Sequence, residues 1–297
     1  MIRTSLLAAL LLAAAPLPHA FAQEVPSKPH YKFKPVKDGK QETAVSSINN
    51  DGIATVGYFA ELGDVRDCYL LQGKAKTFLK DPKGKNGTEC WDINNTGSVV
   101  GDYVDAKSIV HGYIYDIATA AFTEITPPGS LYTVVYGVND SNVVIGYYLD
   151  KNNDSHGFIY DGTKYTVINI KGGTDTEGFG INNAGDYTVS TILSDDLEHS
   201  YLFSGGKKKE LKFKGYSQVA AHHINNKGQL CATLIDSSGV YHGGVYDSVK
   251  NKYYAIDDPL AHDTIMDGIN DKASLAGRYD TESGGPSIGY IASGKLN

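Results

Sequence analysis

The sequence predicts an all-β chain folded as a six-bladed β-propeller, with four-stranded blades and the last blade closed by the N-terminal strand. Three observations carry that reading. An Ile or Val followed by Asn and then Asn or Asp recurs at Ile48, Ile93, Val138, Ile181, Ile224 and Ile269, with gaps of 45, 45, 43, 43 and 45 residues. A period of that size over nearly the whole chain means one supersecondary unit stacked on its neighbours. Composition agrees, since 33 Gly and 21 Tyr in 297 residues suit strands and tight turns. The two ends are also complementary: the sixth repeat runs out after its third strand, and a strand-like segment precedes the first repeat.

In chain order, residues 1–22 combine Arg3, an apolar run from Leu6 to Ala15, and Ala20-Phe21-Ala22 before Gln23, the three-part design of a secretory signal peptide. No other run approaches the roughly 18 apolar residues of a membrane span, and no Cys follows to take a lipid anchor. The mature chain is therefore expected to be secreted or periplasmic. It is one charge more negative than the formal −7, because the segment holds Arg3 and no acidic residue. That argues against nucleic acid and anionic membrane as partners. Arg66 and Arg278 are the two arginines left, too few forks for a nucleotide-like substrate, and no cofactor motif is present. Residues 23–30 hold two prolines and no periodicity and read as a flexible leader, so 31–297 form a single six-repeat domain, expected to be a monomer.

Tyr31 to Val36 alternates as a strand, with Pro35 confining it to an edge. Each repeat then opens on a strand such as Thr133 to Val138 and turns through Asn-Asn-x-Gly, as at Asn49 to Gly52, Asn94 to Gly97, Asn182 to Gly185 and Asn225 to Gly228. Asn bonds back to the local backbone and Gly takes a left-handed conformation, which is hairpin chemistry. Asn142 fills the Gly place in the third repeat. Ala273 fills it in the sixth, where a differently built turn is expected. Second strands carry Val99-Val100-Gly101, Val144-Ile145-Gly146 or Leu275-Ala276-Gly277, whose Gly marks close approach of another backbone, expected from an adjacent sheet. Third strands such as Phe158-Ile159-Tyr160 close in turn pairs such as Asp161-Gly162, and a fourth is exemplified by Tyr165 to Ile170. If the N-terminal strand completes the sixth blade, the ring closes with no long exposed edge.

Asn182-Asn183-Ala184-Gly185, Val144-Ile145-Gly146-Tyr147, Ser155-His156-Gly157-Phe158-Ile159-Tyr160 and Pro128-Gly129 resemble the HAF-type probable extracellular repeat of exported bacterial proteins. The middle residue of that family's His-Ala-Phe triplet is here Gly112, Gly157, Ser200 or Gly243. The resemblance covers residues 44 to 297, implies an exported propeller-like protein, and brings no catalytic residues with it.

Three cysteines permit one disulfide in an exported chain. Cys68 and Cys90 are the nearer pair but lie on strands of neighbouring repeats, which leaves the bridge open on distance, with Cys231 a buried free thiol. His111, His156, His199 and His242 each stand 18 residues after the repeat's opening residue, and Asp105, Asp150 and Asp236 stand 12 after it. A His facing an Asp across a loop could be an acid/base pair or two metal ligands. A clamp repeated at the base of each loop fits better, because four copies on separate blades cannot converge. The Asn-rich turns lack the acidic density of a calcium loop, and no metal is assigned.

Positions serving the fold recur, so function is sought where the repeats disagree. His222 and His223 precede Ile224, where other repeats have Tyr136-Gly137 or Phe179-Gly180. His262, Asp263 and Asp267 precede Ile269, and Trp91 and Asp92 precede Ile93. These seven are the candidate ligand-binding residues, near the propeller axis. The expected function is a non-enzymatic scaffold binding a glycan, peptide or envelope or extracellular protein. The alternatives are a hydrolase or lyase on extracellular polymer with an axial site, or a purely structural component.

Overall fold

Period-two alternation punctuated by turn residues produces twenty-four strands in the computed structural model, which describes residues 30–39, 42–59 and 66–296. The strands form six four-stranded antiparallel sheets, arranged as the blades of a propeller. The third blade shows the pattern from axis to rim: Tyr132–Val138, Val144–Leu149, Ser155–Tyr160 and Tyr165–Ile168. The sixth consists of Asp263–Ile269, Leu275–Asp280, Ile288–Gly294 and, from the other end of the chain, Tyr31–Val36. No helix long and apolar enough to cross a membrane occurs among the described residues. The segment read as a signal peptide, and residues 23–29 of the leader, lie outside them.

A sheet of this kind has two apolar faces and cannot bury both alone. Accordingly, each of the six apolar clusters straddles two neighbouring blades: Val100 of the second blade packs with Val135 and Phe158 of the third, Ile145 of the third with Ile181 and Val189 of the fourth. The sixth blade's Ala276 packs with Val45, Val56 and Tyr69 of the first. Blade stability is therefore interface stability, as in other repeat architectures.

The Cys68–Cys90 bridge forms, with a Cα–Cα separation of 5.9 Å, and it lies inside the cluster between blades one and two. Sequence distance misleads here because the inner-strand residue three before the repeat motif faces the third strand of the preceding blade. Closing this 22-residue separation is worth about 3 kcal/mol on loop entropy. Cys231 is buried and free, its thiol pushed well up by burial.

The repeated Asn does more than make a turn. In the third blade, Asn139 Oδ1 accepts the N–H groups of Ser141 and Val143, both at 3.0 Å, while its Nδ2 donates to the carbonyl of Asn182 in the next blade. Asn49, Asn94, Asn139, Asn182, Asn225 and Asn270 all donate this way, at 2.9–3.2 Å, and Asn270 returns to Asn49, so the ring of bonds closes. A second closed ring runs beside it. The backbone N–H of Asn50, Asn95, Asp140, Asn183, Asn226 and Asp271 each donates to the side-chain oxygen of its counterpart one blade on, at 2.7–3.0 Å. The motif that marks the repeat is thus also the clasp that joins the blades.

Two expectations are corrected. The sixth turn is built like the others: Asn270 Oδ1 accepts from Lys272 and Ser274, and Ala273 takes the left-handed conformation at φ 58°. The Asn frame holds a residue for which that shape is sterically costly. The second-strand Gly is approached from within its own blade. A Cβ on Gly101 would lie 1.9 Å from the Glu89 carbonyl, and one on Gly277 would lie 2.0 Å from that of Ile265. Each carbonyl accepts a third-strand tyrosine, Tyr113 at 2.7 Å and Tyr290 at 3.1 Å, through the space the missing side chain leaves.

Candidate axial binding site

Every inner strand carries a register shift just before the repeat motif, as between Val135 and Gly137 or Met266 and Gly268. A bulge inserts one residue and re-aims the chain. In Thr88–Ile93, Thr174–Ile181 and Asp263–Ile269 part-exposed positions alternate with buried ones, and in every inner strand the residue two before the motif is part-exposed, except for the buried Ser46. Around the ring that residue is Ser46, Trp91, Tyr136, Phe179, His222 and Asp267.

Five of the six touch in sequence. Trp91 meets Tyr136 edge-on with ring centroids 5.2 Å apart, and Tyr136 stacks on Phe179 at 4.9 Å and 13°. Phe179 meets His222 edge-on at 5.6 Å, and His222 Nε2 stands 4.0 Å from Asp267 Oδ1. In four of the blades the second strand supports these side chains. Trp91 Nε1 donates to Asp102 at 2.7 Å, Tyr136 lies against Tyr147, His222 Nε2 is 3.5 Å from Thr233 Oγ1, and Arg278 Nη1 donates to Asp267 at 3.4 Å. Burial pushes His222 down to about 4, with His223 and Arg278 adding to the effect against Asp267, so the imidazole is neutral at physiological pH. One step along the inner strand, Glu177 shares the face of Phe179. Burial, then the neighbouring Glu198 and Asp175, push its carboxyl up to about 8.

Below this ring the axis is closed. The residue just before the motif is Gly137, Gly180 or Gly268 in three blades, where a Cβ would strike the next inner strand. In the others it is Ser47, Asp92 and His223, which cross the axis. Asp92 accepts from Ser47 Oγ at 2.5 Å, from the Ile93 N–H at 2.8 Å and from the Val138 N–H at 3.0 Å. His223 Nε2 lies 3.1 Å from the Tyr136 carbonyl, and its Nδ1 lies 3.9 Å from Asp92. Between this plug and the Asn rings is a cavity of about 50 Å³, room for a few waters but not for a sugar ring.

Trp91, Asp92, His222, His223 and Asp267 thus come together. His262 and Asp263 stand at the mouth end of the sixth inner strand, away from the Asn rings, instead. Asp263 accepts the Tyr241 N–H at 2.9 Å, tying blade five to blade six, and His262 Nδ1 lies 3.0 Å from its second oxygen. Tyr136, Phe179, Tyr147, Asp102, Glu177 and Arg278 belong to the site and are not singled out by sequence reasoning, which treats Tyr136 and Phe179 as the ordinary form. A signal exists: six residues two before the motif, and no two alike.

The repeated His–Asp pairs hold the hairpins on the mouth side. Asp105 accepts the N–H groups of Lys107 and Ile109 and lies 3.5 Å from His111 Nε2; Asp150 with His156, and Asp236 with His242, repeat the arrangement. In the fourth blade Asp195 takes the part, 3.1 Å from His199 Nε2, with Glu210 at 2.8 Å from Nδ1. No group of three or more His, Cys, Asp or Glu able to hold a metal occurs among the described residues. For His199 and His242 burial lowers the basicity, but Glu210 and Asp195, and Asp257 and Asp236, outweigh it and the net shift is upward. A raised His contributes stability in full below its unfolded value near 6.5, lost as pH rises through the folded value. The thermal midpoint should therefore fall by about 1–3 °C between about pH 6 and pH 9, and His199→Gln with His242→Gln should flatten that slope. An unchanged slope in a calorimetric series would remove the clamps from the pH response.

No protein family matches the chain, and a search of curated proteins finds none that matches it. Solved structures do. Aleuria aurantia lectin in complex with Fucα1-6GlcNAc is 13% identical, with a TM-score of 0.51 over 86% of this chain and 94% of that one. SapL1 lectin in complex with α-methyl fucoside is 14% identical, with a TM-score of 0.54 over 84% and 92%. TolB from Acinetobacter baumannii is 12% identical, with a TM-score of 0.54 over 87% of this chain and 65% of that one. At these identities the likeness establishes a shared β-propeller fold.

Proposed function

We propose that this chain is an exported propeller, as its resemblance to the HAF-type repeat implies, that it binds without catalysis, and that its axial ring holds a carbohydrate. The observation that carries the reading is the unbroken arc of Trp91, Tyr136 and Phe179, closed beneath by His223 and Asp92. Aromatic faces pack on the C–H faces of a sugar, and a few fixed polar groups, here Asp102, Asp267 and Arg278, select its hydroxyls. Two proteins of the same fold are lectins seen with fucosides, which accords with the reading.

Titration calorimetry of residues 23–297 against neutral mono- and oligosaccharides tests it. Trp91→Ala and Tyr136→Ala should each weaken binding about tenfold or more. Unchanged affinity in both variants would place the sugar elsewhere; no binding of any sugar would overturn the carbohydrate reading in favour of a peptide or protein ligand. One observation favours a second reading, a glycan hydrolase: Glu177 holds its proton up to about 8, as a general acid would. Release of reducing ends from a glycan, lost in Glu177→Gln, would establish it.

A further inference from the structure

Charge is spread unevenly over this acidic chain. Residues 207–214 read Lys-Lys-Lys-Glu-Leu-Lys-Phe-Lys, five lysines and a single acid. Lys207–Glu210 is the outermost strand of the fourth blade, and Lys207, Lys208, Lys209, Lys212 and Lys214 are all exposed. Leu211 and Phe213, 3% and 5% exposed, pack into the cluster between blades four and five and so hold Lys212 and Lys214 outward. Lys209 crosses the seam. Its Nζ donates to Tyr246 Oη and, at 2.8 Å, to Asn251 Oδ1, and it lies 4.3 Å from the centroid of the Tyr246 ring. Asn251 is flanked by the exposed Lys250 and Lys252, so the basic surface continues onto the fifth blade. The acids within it are engaged or buried. Glu210 lies 2.8 Å from His199 Nδ1 and 3.1 Å from Lys212 Nζ, and the Asp247 side chain is 4% exposed.

An outermost strand uses lysine to prevent pairing with another chain. Elsewhere one or two suffice: Lys76 in Ala75–Leu79, Lys252 in Lys252–Ala255, Lys32 and Lys34 in Tyr31–Val36, and none in Ala121–Ile125 or Tyr165–Ile168. Three consecutive lysines, with two more just beyond, exceed that need. We propose that the edge of blade four and its seam with blade five bind an acidic polysaccharide, a linear chain with repeated carboxylates. Lys207 and Lys209, on one side of the strand, stand about 7 Å apart, a row of point charges for a chain that carries its own charges at intervals. An ammonium pairs with a carboxylate without the planar fork that suits phosphate, and no arginine lies between residues 205 and 252. The rim of a ring is convex, so an extended chain can follow the strand where a flat lipid surface meets little of it. Because the net charge of the molecule repels a polyanion, binding of one reports the local strip. This surface is separate from the axis and independent of the reading given to it.

Calorimetry of residues 23–297 with oligogalacturonate, and with its fully methyl-esterified, uncharged form, tests this. The acid should bind and the ester should not. Binding should weaken about tenfold or more when Lys207→Gln, Lys208→Gln and Lys214→Gln are combined, and the thermal midpoint of that variant should stay within about 2 °C of wild type. Lys32→Gln with Lys34→Gln, the same change on another edge strand, should keep the wild-type affinity. Binding of the ester as well as the acid, or no binding of the acid at low salt, would overturn the proposal. So would an affinity unchanged in the blade-four variant, or lowered equally by the change at Lys32 and Lys34. Tighter binding of duplex DNA or of anionic phospholipid vesicles than of oligogalacturonate, lost in the same variant, would overturn the acidic glycan in favour of that partner. Each of these outcomes leaves the axial carbohydrate reading as it stands.

Discussion

A chain lacking residues 23–37 should lose its cooperative transition near the wild-type temperature, with a midpoint lower by on the order of 10 °C or more, and should self-associate. The strand removed supplies six register pairs to the sixth blade, from Tyr31 opposite Gly294 to Val36 opposite Gly289. It also supplies the Phe33 contact with Tyr290 at 4.9 Å and the Tyr31 hydrogen bond to Ala273. Strand hydrogen bonds at about 1 kcal/mol each, with two aromatic side chains at about 2 kcal/mol each, come to more than 5 kcal/mol. In a domain of this size each kcal/mol is worth roughly 2–4 °C. Self-association follows because Ile288–Gly294 becomes an unpaired edge that another copy can fill. Differential scanning calorimetry with light scattering reads both effects, and a synthetic peptide of residues 30–37 added in trans should restore the transition. A truncated chain that stays monomeric and melts within about 3 °C of the parent would show that closure by this strand is not what holds the ring.

The second large effect is expected at Asn139. Replacement by Ala removes the acceptor for the N–H groups of Ser141 and Val143 and the donor to the Asn182 carbonyl, on a residue that is 7% exposed. Leaving such groups unmet costs about 2–4 kcal/mol together, roughly 4–16 °C. Asn139→Asp separates the two duties. It keeps the Oδ1 acceptor for the turn, but places a carboxylate against the Asn182 carbonyl where a donor stood. If the bonds between blades matter, Asn139→Asp should be as destabilising as Asn139→Ala, or more so. If the turn alone matters, the Asn139→Asp variant should melt within about 2 °C of wild type, the limit expected for a surface change.

The same asparagines show how far pattern reading reaches. The spacing of the motif gives the blade count, and the Asn-Asn-x-Gly string gives its hairpin, because a turn is made by residues two to four apart. The donation of Asn139 Nδ2 to Asn182 lies 43 residues away and depends on the curvature of the assembled ring. Cys68 and Cys90 are similar: their strands are legible, but not that the inner strand of one blade faces the third strand of the one before. At the site, Trp91, Asp92, His222, His223 and Asp267 stand out as departures from a common form. Tyr136 and Phe179 do not, because an aromatic followed by Gly passes for the rule; comparing all six residues at that position would have exposed them.

By itself the sequence determined an all-β chain of six repeats, four strands to each, with the N-terminal strand completing the last sheet. Alternation, turn residues and period are local properties, and sheets with two apolar faces leave few ways to stack. The tertiary structure alone decided which residues meet at the axis, that the way below them is shut by His223 and Asp92, and that Asn270 closes the circle onto Asn49, 221 residues away. Such contacts exist only when six blades bend into one ring, since each is made by residues that no local pattern joins.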